Sequence, residues 1–422
     1  MTIWKTARLN RVVVTGMGVI SPLGNSIGKF WNNIIAGTSG VGLISKFDTT
    51  NFKTKFAAEV RDFDGLDYFE KKDLRKYDLF TQYAVAAAQE SMANARLEFD
   101  KLDRNRIGVI WGSGNGGIQT FQEQVVEFVN NNGKPVFSPF FIPKIIADIP
   151  SGIISIRYGL RGLNFSTISA CASSNNAIID AVNYIRLGKA DIIIAGGSEA
   201  AINESSVGGF NAARALSTNN DSPHTASRPF DITRDGFVIG EGAGAIVVES
   251  LQSAINRNAT IYAEITGTGM AADAYHLTGT HPDGEGAFLG MMDAIVEAGI
   301  SADTVDYVNA HATSTLLGDM SELKALDRVF GHKPDLSVSS TKSMTGHLLG
   351  ASGAVESIVS ILSVRENIVP ATINTQTLVR EYADHFDFVL GHSKTKQVNI
   401  AMNNTFGFGG HIATIIFQKY NP

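Results

Sequence analysis

Residues 167–197 read "TISACASSNNAIIDAVNYIRLGKADIIIAGG". Within them Ile178, Ala181, Val182 and Ile185 recur at i, i+3, i+4 and i+7, one face of a helix. Ser173, Ser174 and Asn175 suit its first turn, and Gly188 suits its stop. The β-branched run "ADIIIAGG" (190–197) follows at once and reads as a strand. Helix passing directly to apolar strand is the unit of α/β layers. The same style recurs along the chain. "RVVVTG" (11–16), "RIGVIWG" (106–112) and "GAGAIVVES" (242–250) read as strands in the first part. "IYAEITGTG" (261–269), "VDYVNAHA" (305–312), "LSVSST" (336–341) and "VNIAMNN" (398–404) do so in the second. "YDLFTQYAVAAAQESMANA" (77–95) and "GAFLGMMDAIVEAGI" (286–300) read as helices. The two parts share one rhythm that changes near residue 255, as a duplicated α/β unit with buried sheets would.

The totals agree. At roughly 150 residues per domain, 422 residues make two or three domains or one large two-part unit. A chain 44% hydrophobic and 18% charged is globular. A net charge of −6 sets aside a dedicated nucleic-acid binder. A single cysteine excludes an internal disulfide and a cysteine-based zinc cage, and fits a reducing compartment. The start holds Lys5, Arg8 and Arg11 without a long apolar run, a poor secretion signal. No stretch approaches about 18 uninterrupted apolar residues. The expectation is a soluble cytoplasmic protein without a membrane span.

The lone cysteine, Cys171, sits between Ala170 and Ala172 at the start of the helix. A helix N-terminus favours an anion and lowers a thiol pKa, so a nucleophilic thiolate is one reading. A small, inert, buried cysteine is the other. The flanking alanines leave room for a substrate. His311 follows a strand-like run and precedes Thr313, Ser314 and Thr315. Lys342 and His347 share a second glycine-bearing turn, "SSTKSMTGHLLGASGAVES" (339–357). Strand ends are where α/β proteins gather catalytic residues. His224, His281, His332, His385 and His392 read as surface or core residues. "NNTFGFGGHIATIIF" (403–417) brackets Phe406 and Phe408 with glycines, as a pocket cover or a sheet-edge turn would. "WGSGNGG" (111–117) is a literal G-x-G-x-x-G, but no second strand ending in an acid follows, which disfavours a dinucleotide site.

Taken in order, "SACASS", "GGFNAARALST", "ASRPFDITRDGFVIGEGAGAIVVE", "DAYHLT", "NAHATSTLLGD", "SSTKSMTGHLLGASGAVES" and "NTFGFGGH" resemble the β-ketoacyl-acyl-carrier-protein synthases, elongating condensing enzymes of the thiolase superfamily. "DAYHLT" (273–278) leans toward the type II enzymes. The resemblance spans the chain from about residue 10. It implies a thiolase-like α/β fold, two similar halves in a layered αβαβα arrangement with mixed buried sheets. The halves would be 1–255, with the cysteine, and 256–422, with the histidine pair and glycine-rich loop. It implies 3-oxoacyl synthesis by decarboxylative condensation of a Cys171-bound acyl chain with malonyl-acyl-carrier protein, in fatty-acid elongation.

By the same resemblance, His311 and His347 complete a Cys-His-His site supported by Lys342. Phe408 is the gate whose N–H joins that of Cys171 in an oxyanion hole, with Phe406 beside it. Thr313 and Thr315 hold the pantetheine arm. Lys72, Arg75, Lys76 and Arg214 dock an acidic acyl carrier protein. No cofactor is implied for catalysis. A structural Na+ or K+ is implied at Asn309, Ala310, Glu356, Asn403 and Asn404. The assembly implied is a homodimer. Asn115 stands in the acyl pocket where type II enzymes carry an apolar residue. A buried amide needs partners, so the expected preference shifts to shorter, unsaturated or polar chains. Ala312, Leu316 and Ile412 also depart from the family pattern and bear on substrate range. Thiolases need a second cysteine, type III synthases use Cys-His-Asn, and chain-length factors lack the nucleophile. A papain-like protease has no use for "TKSMTGH" or the glycine-rich end. The remaining rival is a ketosynthase of a polyene or polyketide pathway.

Overall fold

The β-branched runs of both parts enter a single sheet. In the computed structural model, which describes residues 9–421, the first part gives β1 (Val12–Ile20), α1 (Leu79–Asn94), β2 (Ile107–Gly112), α2 (Ile118–Asn130), β3 (Asn164–Thr167), α3 (Ser173–Arg186), β4 (Ile192–Glu199) and β5 (Gly242–Ser250). Lys5 and Arg8 lie outside the described residues. The second part gives β6 (Ala263–Ala272), α4 (Glu285–Ala298), β7 (Tyr307–Asn309), α5 (Leu316–Phe330), β8 (Lys333–Ser339), α6 (Ser352–Glu366), β9 (Phe386–Phe388), β10 (Ile400–Gly407) and β11 (His411–Gln418).

The sheet has 11 strands in the order β9-β8-β7-β10-β11-β6-β1-β5-β4-β2-β3. Its halves are copies of one plan. In the first, β3-β2-β4 run parallel, and β5 lies antiparallel between β4 and β1. In the second, β8-β7-β10 run parallel, and β11 lies antiparallel between β10 and β6. β9 is an added edge strand beside β8. A short antiparallel pairing, Val13 to Glu264 and Val14 to Ala263, joins the halves.

Both faces of each half are covered, which is why the strands read as near-continuous apolar runs. α3 and α6 share a central core with Val12, Val14, Ile193 and Ile246 of the first half and Ala401, Ala413 and Ile415 of the second. The helical face read from the sequence, Ile178, Ala181, Val182 and Ile185, is fully buried there. On the outer side α1 packs against Val109, Trp111, Ile192 and Ile194. On the opposite outer side α4 and α5 pack against Val308, Val338, Met402 and Ile416. The layers therefore run helix, sheet, helix, sheet, helix, as expected of a thiolase-like fold.

β6 and α4 approach backbone to backbone. A Cβ built at Gly269 would stand 1.9 Å from the Gly290 carbonyl oxygen. Gly269→Ala must push helix and strand apart, at a cost of about 1–3 kcal/mol. A lowered urea midpoint with an unchanged slope is the expected result. An unchanged midpoint would mean that this layer yields freely.

Candidate active site

The site is built where equivalent strands of the two halves end. After β3 the chain turns through Ala170 (φ 51°) and the single turn Ala170–Ala172 into α3. After β8 it passes Lys342 and His347, turns through Leu349 (φ 51°) and Leu349–Ala351, and enters α6. The two elbows match position for position, so Cys171 in one answers to Gly350 in the other. The cysteine comes from the first half, and Lys342 and His347 from the second.

β10 presses onto the cysteine turn. A Cβ on Gly407 would lie 2.6 Å from the Ser169 carbonyl oxygen and 3.1 Å from the Cys171 nitrogen. That approach brings the Phe408 N–H, with the N–H of Cys171 itself, to the thiol, and both favour its anion. Cys171 keeps some exposed surface, but the protein packed around its sulfur pushes the thiol up to about 12. Lys342 and the two N–H groups pull the other way, and Glu199 adds to the rise. The depressed thiol pKa expected from the helix terminus is therefore not found. Burial outweighs the dipole.

His311 and His347 meet edge to face, with ring centres 5.3 Å apart. His311 is held through its backbone: its N–H donates to Glu322 Oε1 at 2.9 Å, and that of Ala312 to Oε2 at 2.7 Å. Nδ1 of His347 lies 2.9 Å from Ser352 Oγ, which leaves Nε2 for the site. Burial, then the Lys342 charge, holds both imidazoles well below their ordinary pKa, so both are neutral at physiological pH. Lys342 is 1% exposed and pairs with Glu356. Burial lifts Glu356 to about 7, with Lys342 opposing.

Two family models match this chain: the β-ketoacyl synthase N-terminal domain over residues 9–254 and the β-ketoacyl synthase C-terminal domain over 262–376. The chain belongs to the β-ketoacyl synthase family. It is 45% identical over 410 residues to the 3-oxoacyl-[acyl-carrier-protein] synthase 2 of Coxiella burnetii, covering 97% of this chain and 98% of that protein. Among solved structures it resembles the ishigamide ketosynthase/chain length factor (TM-score 0.92, 31% identity, 98% of this chain, 100% of that one). It also resembles a type II polyketide ketosynthase in complex with its acyl-carrier protein (TM-score 0.89, 30% identity, 98% and 100%). This β-ketoacyl synthase has the activity of an elongating condensing enzyme of fatty-acid synthesis.

The remaining expected residues of the synthase fall into several groups. Thr313 and Thr315 share a turn, their hydroxyls 3.1 Å apart. Phe406 is buried: its ring packs 5.4 Å from His311 and belongs to the core under α4 and α5. Phe408 touches Phe210, which touches Phe237, which meets His347, an aromatic wall that the sequence reading missed. Ala172 is buried in the central core rather than clearing a path, whereas Ala170 is half-buried. Of the departures, Ala312 feeds its N–H to Glu322, Leu316 is exposed, and Ile412 is buried against Gly286 and Gly290.

Asn115 is satisfied: its amide donates to Glu199 Oε2 at 3.3 Å. The N–H groups of Gly114 and Asn115, which a phosphate would need, are taken by the same carboxylate. That disposes of a dinucleotide site. Lys72 pairs with Glu70 and Lys76 with Asp73, whereas Arg75 and Arg214 have no ion pair among the described residues. For the cation, Asn309 Oδ1, Glu356 Oε2 and Asn403 Oδ1 are buried acceptors without donors, and Asn403 stands opposite Asn309 in the ladder. Oxygen-only donors of this kind fit a hard monovalent ion. Asn404, on the other face of β10, does not join by its side chain: its Oδ1 accepts from Thr414, and its amide donates to Glu322.

Glu322, Ser352 and Glu199 were not singled out from the sequence. Asp319 and Glu322 at i, i+3 on the buried face of α5 were the one available signal.

A thiol lifted this far reacts through a small thiolate fraction. Iodoacetamide alkylation of Cys171 should rise about tenfold per pH unit from pH 7 to 9 without levelling. A plateau below pH 8 would reveal a preformed thiolate.

Proposed function

We propose that Cys171 carries the acyl chain and that the histidine pair activates the malonyl unit, both delivered on an acyl carrier protein. The observation that carries this reading is the convergence of two backbone N–H groups on one thiol beside two neutral imidazoles. In the first half-reaction the sulfur attacks the acyl thioester. The carbonyl oxygen gains charge between the N–H groups of Cys171 and Phe408, the acyl group moves to sulfur, and the carrier leaves as a thiol. Fixed donors aimed at developing charge are the strongest contribution an enzyme makes to such a step.

In the second, malonyl-carrier enters, its carboxylate leaves as carbon dioxide, and the electron pair forms an enolate. His311 and His347 donate their ring N–H groups to that oxygen. The carbanion attacks the acyl-Cys171 carbonyl, and the sulfur leaves and regains a proton. The product is a 3-oxoacyl carrier two carbons longer. The step balances without a redox partner.

Thr313 and Thr315, whose hydroxyls share one turn, would hold the pantetheine arm. Asn309, Glu356 and Asn403 would hold a Na+ or K+, with the Ala310 segment beside them; the ion supplies fixed positive charge that ties the histidine half together. The division near residue 255 separates a nucleophile half from a histidine half. One edge of β3 is unpaired in the sheet, and Ile168, Phe121, Val126, Val129, Val136 and Ile142 are exposed nearby in the chain. A free edge with apolar residues supports a homodimer. No helix of the described residues is long and apolar enough to cross a membrane, and we assign the enzyme to the cytoplasm. The 45% identity to a 3-oxoacyl-[acyl-carrier-protein] synthase 2, against 31% to the ishigamide ketosynthase/chain length factor, favours fatty-acid elongation over a secondary-metabolite pathway.

Mixed with an acyl-carrier thioester at neutral pH, the protein should show an acyl adduct on the Cys171 peptide by mass spectrometry; no adduct contradicts the reading. His347→Ala should leave acyl transfer in place and slow malonyl decarboxylation about 10²–10³-fold. Because the histidines must be neutral and their pKa values are lowered, decarboxylation should hold from pH 8 down to 6.5 and fail only in stronger acid. A fall already beginning near pH 7 would contradict the assignment. Reversing Arg75 and Lys76 to Glu should raise KM for carrier-bound substrate at similar kcat, and an unchanged KM removes this docking surface. Asn115→Ile should raise activity on long saturated chains relative to short ones; an unchanged ratio means that Asn115 does not set the preference.

A further inference from the structure

Beside Cys171 lies a carboxylate that the condensation does not use. Glu199 ends β4 and is fully buried. Its Oε1 accepts the N–H groups of Gly114 and Asn115, and its Oε2 accepts the Asn115 side-chain amide. Gly350 closes against this carboxylate from the other half, and its N–H favours the charged form. A Cβ on Gly350 would stand 2.6 Å from Glu199 Oε1 and 2.5 Å from the Gly114 nitrogen, so carboxylate and two backbones meet without intervening side chains.

These donors come from two places. Gly114 and Asn115 form the loop after β2, packed against the Ala170 carbonyl of the cysteine turn. Gly350 belongs to the elbow directly after His347, in the other half of the molecule. No lysine or arginine pairs with Glu199 among the described residues; N–H dipoles alone answer its charge. That charge also works against the Cys171 thiolate. A group that hinders the nucleophile and yet fills this position has its use in what it holds.

We propose that Glu199 is a positioning residue: it locks the loop beside the acyl chain to the turn that carries His347, so that the acyl carbonyl and the enolate meet in one fixed geometry. This rests on the proposed function and on the family resemblance that sets Asn115 in the acyl pocket.

Glu199→Ala and Glu199→Gln in the full chain test it. The alanine variant removes every acceptor. The glutamine variant keeps Oε1 for the backbone N–H groups but removes the charge and the match to the Asn115 amide. With the alanine variant kcat should fall about tenfold or more while KM for malonyl-carrier stays within about twofold, the sign of a group acting in the transition state. With the glutamine variant kcat should fall about threefold or more, again at similar KM. Burial lifts Glu199 to about 7, so its charge opposes the thiolate above neutral pH; there, between pH 8 and 9, iodoacetamide should also alkylate Cys171 about threefold faster or more in that variant, because the opposing charge is gone. A group that only supported the fold would lower the melting temperature and leave kcat unchanged.

Parental kcat in either folded variant, or an unmoved alkylation rate in the glutamine variant, overturns the proposal. If the alanine variant does not fold, the glutamine variant decides alone by the same two readings. The alkylation reading needs no carrier. Acylation of the parent, run in parallel, keeps the two readings apart. An unacylated parent counts against the proposed function, whereas an acylated parent beside unaffected variants counts against Glu199 alone.

Discussion

One buried positive charge organises this molecule. Lys342 is buried, and an ammonium group in such a place is tolerated only with a partner. Glu356 provides it from the helix that begins a few residues on. The charge bears on each group of the site. It helps to keep His311 and His347 neutral, draws the Cys171 thiol down from the level burial alone would set, and draws Glu322 and Glu356 down in the same way. The histidines thus remain hydrogen-bond donors rather than proton sinks, as the enolate stabilisation we propose requires.

The duplicated fold explains how the chemistry is shared. Two equivalent elbows face each other at the start of α3 and α6. One carries Cys171, and the other carries Gly350, with His347 and Lys342 just before it. Because Gly350 has no side chain, the loop after β2 and Glu199 can close in from behind. Because Gly407 has none, β10 can bring the Phe408 N–H to the sulfur. The separation of roles follows from which elbow kept a reactive side chain and which kept room.

Much of this was legible in the sequence. The helix after Cys171, its buried face and the strand after it follow from the spacing of Ile178, Ala181, Val182 and Ile185. His311, Lys342 and His347 stand out because they sit among small polar residues at strand ends. The supporting groups do not stand out. Glu199 and Asn115 are 84 positions apart, and neither has a local pattern that announces the other. Ser352 looks like a helix start and only in three dimensions becomes the partner of His347. β3 is short, polar and at the sheet edge, so it lacks the apolar run that marks its neighbours. The thiol misled in the opposite direction. A helix terminus is visible in sequence, whereas the depth of burial that overrides it is a property of the assembled layers.

The most direct test is a crystal structure of the acyl-Cys171 enzyme. The acyl carbonyl oxygen should accept hydrogen bonds from the backbone N–H groups of Cys171 and Phe408. His311 and His347 should stand clear of that oxygen, with their ring N–H groups facing the space for the malonyl unit. A carbonyl oxygen held instead by the two histidines would contradict the division of labour described for the two halves.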